Sequence, residues 1–201
     1  MISVYPFLYQ AKQSAFTLLE MLIVIALSAI LLSIAIPSFK SVINVNRISS
    51  YTSSLHAALL FARSESIKRG VPVTICRSVN SETVNPSCAT TNSDALSNSG
   101  WADGWIIFAD LNNNGTYQPA NAISDVLIQV QGKLVSSNIS GSIIPSPSRK
   151  FITFGATGQT FGAFLRFAIN RPDSDTDASH DRFICISAGG RARVSSTLCS
   201  N

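Results

Sequence analysis

The sequence predicts an α+β fold, with one long N-terminal α-helix packed on an antiparallel β-sheet head. Three observations predict it. An almost uncharged apolar run, "FTLLEMLIVIALSAILLSIAI" at 16–36, is followed by apolar residues at helical spacing as far as Ala62. Beyond Gly70 this pattern gives way to short β-branched and aromatic runs separated by Gly, Asn, Pro and Ser. All helix precedes all strand, which is the order of an α+β domain and not of an alternating α/β one. The 201 residues then divide into a leader at 1–15, an apolar helix at 16–37, the amphipathic half of the same helix at 38–70, and a head at 71–201.

The apolar run holds 21 residues, enough to span a bilayer, and Glu20 is its only charge. A carboxylate in hydrocarbon costs roughly 2.5 kcal/mol or more, so Glu20 asks for a partner. A secretory signal places a shorter apolar stretch ahead of a small-residue cleavage site. Here the order is reversed: the leader ends in "AKQSA" and precedes the run, so a cut before Phe16 keeps the anchor. Pro37 loosens the helix without ending it. Phe39, Val42, Ile43, Ile48, Tyr51, Leu55, Leu59 and Ala62 continue at helical spacing. Lys68 and Arg69 in the last turn and Gly70 after it close the helix. "VPVTICRS", "GWIIFAD", "DVLIQV", "KFITFG", "FGAFLRFAI", "RFICIS" and "RARVSS" then read as strands. The stretch 78–100, rich in Ser, Thr and Asn, reads as a disulfide-pinned loop.

Charge and cysteine usage narrow the setting. The net charge is +4 but unevenly spread: 37–70 holds five basic residues against one acid, 76–132 one against five, and 133–201 eight against four. The four cysteines fall into two local pairs without a CxxC, and only two histidines exist, which argues against zinc. Of the three possible pairings, Cys76–Cys88 and Cys185–Cys199 are expected, because short loops close most easily. Each would stabilise by about 3 kcal/mol and implies an oxidising compartment outside the cytosol.

The stretch "AFTLLEMLIVIALSAILLSIAIPSF" resembles the N-terminus of type IV prepilins and type II secretion pseudopilins. The resemblance implies that a prepilin peptidase cuts between Ala15 and Phe16, where the family usually has Gly before the cut, and that the new Phe16 amine is methylated. It further implies that Glu20 pairs with the terminal amine of a neighbouring subunit, which gives the carboxylate its partner in the filament. The subunit would sit as a single-pass protein of the inner membrane with its head in the periplasm, and then join other pilins or pseudopilins. "ARSESIKRGVPVTICRS", "WADGWIIFADLNNNGTYQ", "FITFGATGQT" and "FICISAGGRARV" together look like the GspH/FimT branch of the pilin-like proteins. Two functions occur in that branch: a minor pseudopilin of type II secretion, and a minor pilin that binds DNA for natural transformation. The DNA-binding members carry a C-terminal Gly-Arg-x-Arg motif, here Gly190, Arg191, Ala192 and Arg193.

That motif has a physical reading of its own. In an extended chain Arg191 and Arg193 point to one face about 6.6 Å apart, and guanidinium forks suit phosphate oxygens. Gly189 and Gly190 give a tight turn with room for a ligand backbone to approach. Such contacts bind nucleic acid without reading its sequence. No aromatic residue adjoins the motif, which favours the backbone of duplex DNA over stacked single strands. Lys133, Arg149, Lys150, Arg166, Arg171 and Arg182 would extend the patch, and the acidic loop at 173–181 would screen it. The run 110–115 matches the first half of a calcium loop, but Asn121 stands where the closing Glu belongs, so a hairpin turn is the preferred reading. His56 and His180 come with no nucleophile motif, and neither an enzyme nor a cofactor is expected.

Overall fold

A computed structural model of the chain describes residues 16–90, 99–120, 124–135, 142–161, 165–170 and 181–199, with the backbone alone at 35–38, 40 and 41. The expected leader and its cleavage site at Ala15 lie outside these residues, as do Arg171, Asn121 and His180. The chain forms two compact units, Met1–Val42 and Ile43–Asn201.

One helix, α1 (Leu18–Arg69), runs through both. Thr17 caps it: its Oγ1 accepts the Glu20 amide at 3.2 Å, and Glu20 lies in the first turn, where the helix dipole favours a negative charge. Ser28 and Ser33 return their hydroxyls to the carbonyls of Val24 and Ile30, so neither adds an open donor to the apolar stretch. From Phe16 to Ile34 every side chain is exposed. No helix among the described residues is long and apolar enough to cross a membrane; the run counted from the sequence includes positions 35 and 36, whose side chains lie outside them. The backbone stays helical through Pro37 and ends at Gly70, whose φ of 67° suits glycine.

Among the described residues the head contains eight strands in two antiparallel sheets. Sheet A has the order β3-β2-β1-β5 and comprises β1 (Val73–Arg77), β2 (Trp105–Ala109), β3 (Val126–Gln131) and β5 (Phe151–Phe154). Sheet B has the order β4-β6-β7-β8 and comprises β4 (Ser142–Ser146), β6 (Leu165–Asn170), β7 (Arg182–Ile186) and β8 (Ala192–Ser195). β4 was not foreseen. Its Pro145 weakens the strand reading, yet β4 is an edge strand, where a missing N–H is tolerated. A short 3₁₀ turn, Trp101–Asp103, links the sheets: Gly100 bridges to Ile143, and Trp101 meets Phe167 edge to face at 5.1 Å.

One core joins the helix to the inner faces of both sheets. Ile48, Tyr51, Leu55, Leu59 and Ala62 of α1 pack with Ile75, Trp105, Ile107 and Phe154 of sheet A and with Phe167, Ile169, Ile184 and Ile186 of sheet B. Full burial of such a side chain stabilises by about 1.5–3 kcal/mol. The foreseen stripe splits here. Phe39, Val42 and Ile43 are exposed, and burial starts at Ile48. Every fully buried large side chain lies within Ile43–Asn201, so this unit holds its own core. The two disulfides join Cys76 to Cys88 and Cys185 to Cys199, the local pairing expected.

Candidate nucleic-acid interface

β7 and β8 form a hairpin whose turn is set by local bonds. The Gly190 amide donates to the Ser187 carbonyl at 2.8 Å, and the Ser187 amide donates to the Arg191 carbonyl at 3.1 Å. Gly190 has φ of 76° and is buried, and a Cβ there would overlap the Gly158 carbonyl. The close approach that the sequence offered to a ligand backbone is therefore filled by the protein's own turn at 155–158.

Two residues of α1 hold this arrangement, and the sequence reading missed their role. Arg63 Nε donates to the Gly158 carbonyl at 3.1 Å. His56 Nε2 lies 3.2 Å from the Ala192 carbonyl, a bond that requires the proton on Nε2. The available signal was their spacing: seven residues apart on a helix, they share a face. Thr160 completes the clamp, with its amide donating to Ala188 O and its hydroxyl lying 3.1 Å from Ser187 O.

Register then decides which arginines meet. Arg166 pairs with Cys185, and Cys185 pairs with Arg193. Directly paired residues share a face, and that face is not the core face, which carries Phe167, Ile184 and Ile186. Arg193 and Arg166 therefore flank the Cys185–Cys199 disulfide on the outer face of sheet B, two strands or about 10 Å apart. Arg191, two residues before Arg193 and paired with Ser187, lies on the same face. Arg191 and Arg193 are exposed and Arg166 half-buried, and none makes an ion pair among the described residues. No carboxylate occurs on the strands of this face.

The other foreseen cations are placed elsewhere. Arg182 pairs with Ile169 on the core-facing side and donates to the Asp181 carbonyl at 3.0 Å. Lys133 follows β3, where its amide donates to Glu82, and Lys150 precedes β5 and reaches Thr90 O at 3.4 Å. Arg149 is exposed before β5, its carbonyl accepting the Trp101 indole N–H at 2.9 Å. The connection that contains the acidic run leaves β6 at Asn170 and re-enters at Arg182. Asn170 lies about 13 Å and Arg182 about 10 Å along the strands from the row of Arg166 and Cys185.

The carboxylates of the calcium-like loop are satisfied from within the protein. Asp110 accepts the amides of Asn114 at 3.0 Å and Gly115 at 2.8 Å, and the Thr74 hydroxyl at 2.8 Å. Asp125 accepts the amides of Leu111 and Gln118; burial raises its pKa against those bonds. The loop at 110–118 is thus held as a hydrogen-bonded turn.

A capped N-terminal helix, apolar for its first half and carrying an antiparallel β head with two local disulfides, defines a pilin-like subunit. The family model described as "Type II transport protein GspH" matches residues 52–190, and the prokaryotic N-terminal methylation motif matches residues 10–36. The chain belongs to the GspH family, a family of structural pilin-like subunits. The type IV minor pilin FimU of Pseudomonas aeruginosa has a similar fold, with a TM-score of 0.53 at 20% identity over 75% of this chain and 89% of that one. A second crystal form of FimU gives 0.47 at 19% identity over 73% and 91%. No curated protein matches the sequence. The family match ends at Gly190, so Arg191 and Arg193 lie just beyond it.

Proposed function

We propose that this chain is a minor type IV pilin whose head binds DNA without sequence preference, for uptake in natural transformation. The observation that carries the reading is the grouping of Arg191, Arg193 and Arg166 on one face of sheet B, whose described strands carry no carboxylate. Three guanidinium groups there would engage phosphates and release counterions. A single head with few contacts falls among nonspecific binders, around 10⁻⁴ to 10⁻⁶ M, and several heads in a filament would raise this by avidity. Titration of the head, residues 40–201, with duplex DNA at low salt should show such binding. Arg191→Gln with Arg193→Gln should remove most of it and flatten the salt slope, with the melting temperature nearly unchanged.

The second reading is a structural pseudopilin of type II secretion that binds no nucleic acid. It is favoured by the family match, which needs neither arginine. A head that fails to bind DNA at low salt, or a double variant that binds like the wild type, decides for this reading.

Assembly follows one route in both. Prepilin peptidase removes 1–15 in the inner membrane, Phe16 becomes the methylated terminus, and Glu20 pairs with a neighbour's amine. Mass spectrometry of the mature protein should show a chain beginning at Phe16. Glu20→Ala should leave the head folded and block incorporation into filaments.

A further inference from the structure

The two sheets part beside the arginine hairpin and leave a cleft of about 160 Å³. Leu165 and Ile186, both buried, form its apolar wall, and Phe151 and Phe161 line it together with Arg149 and Asn113. Phe161 is 68% exposed, although its ring rests against Gly155, where a Cβ would come within 3.2 Å of it. Neither the Arg149 guanidinium nor the Asn113 amide makes a side-chain bond among the described residues. Thr160, next to Phe161, also lines the cleft and donates to the hairpin turn at Ser187 and Ala188. The cleft lies on the core-facing side of sheet B, at the end where the hairpin turn leads round to the arginine face, and Thr160 ties it to that turn.

The occupant follows from size and chemistry. Pockets for whole small ligands run to about 300–1,000 Å³, so this cleft admits one ring system. Its apolar and aromatic walls suit the faces of a flat ring, while an unpaired amide and a guanidinium suit a polar edge with anionic charge nearby. A nucleobase combines these properties. An aliphatic side chain of a protein partner would leave Arg149 and Asn113 unused.

We propose that the cleft receives an unstacked base of DNA held on the arginine face, so that the head binds single strands more tightly than duplex. This rests on the DNA-binding reading of Arg191 and Arg193, and it departs from the preference for duplex that the sequence alone favoured. Fluorescence anisotropy with oligo-dT and with a blunt duplex of equal length, at one salt concentration, tests it. Phe161→Ala should weaken oligo-dT binding roughly 5- to 150-fold, the range of one lost stacking contact. Duplex binding should stay within about two-fold. Phe161→Tyr keeps the ring and should keep the single-strand preference. A 2-aminopurine in the single strand should be quenched by the wild type and not by Phe161→Ala. If the wild type binds duplex but shows no preference for the single strand, the cleft proposal fails while the arginine reading stands. If Phe161→Ala binds both forms like the wild type, the cleft serves a protein side chain instead and the proposal is overturned. If neither DNA form binds the wild type, the arginine reading itself fails.

Discussion

Among the described residues, the two central strands of sheet A, β1 and β2, are covered on both sides, whereas sheet B is covered on one. Every residue of β1 and β2 is buried. On the outer side of sheet A, Cys76, Ile106 and Phe108 form a second small core with Cys88, Tyr117, Leu127 and Phe151. The 76–88 disulfide and the hydrogen-bonded loop at 110–118 build that layer. On sheet B, β6 alternates between buried and half-buried, and the outer face bears Arg166, Cys185 and Arg193. There the 185–199 disulfide ties β7 to the segment that follows β8. Both sheets thus carry a disulfide on the outer side, with opposite consequences. One staples a protein layer over apolar residues, and the other leaves cations facing solvent.

The largest expected effect sits at the sealed sheet. Arg77 and Asp103 form a buried ion pair at 2.8 Å near the junction of β1 with the 3₁₀ turn. Asp103→Ala should destabilise the head by up to about 3–5 kcal/mol, because it removes a carboxylate from beside a buried guanidinium. Replacing both partners by apolar residues should cost less than that single change, as urea denaturation of the set would show. A mild effect of Asp103→Ala would mean that sheet A opens to water more readily than its burial implies.

The disulfides give the next effect and test the comparison directly. Cys76→Ser with Cys88→Ser should cost about 3 kcal/mol, since it frees a closed loop that also covers the second core. Cys185→Ser with Cys199→Ser should cost less, because among the described residues the segment it pins after β8 covers no second core. The second pair should instead weaken DNA binding by loosening the strand that bears Arg193. Equal losses of stability from the two pairs would erase the distinction between the sheets.

The smallest effect is one of pH. Arg69, hydrogen-bonded at 2.6 Å, holds Glu65 below the usual carboxylate range, against the opposing pull of burial. A folded-state pKa below the unfolded value adds stability above the ordinary Glu range, and that stability disappears as pH falls through the lowered value. Melting temperatures of wild type and Glu65→Gln should differ near neutrality and converge in acid. Asp125, raised by burial, acts in the opposite sense: its contribution falls as pH climbs from the ordinary Asp range through the raised value.

The sequence by itself determined the elements governed by local physics. The end of α1 at Gly70 follows from glycine's tolerance of positive φ, and the seven foreseen runs contain seven of the eight strands, each marked by β-branched residues and bounded by turns. The two short disulfides follow from loop closure, and Arg191 and Arg193 share a face because strand residues repeat every two. Tertiary structure decided what depends on distant partners. β4 forms because its edge position accommodates Pro145 beside β6. Gly190 serves Gly158, thirty-two positions earlier, and His56 and Arg63 reach hairpin and turn from the helix. Most of all, Arg166 joins the arginine pair while Arg182 turns away, because strand register fixes the face of each side chain, and register is set by pairing between strands far apart in sequence.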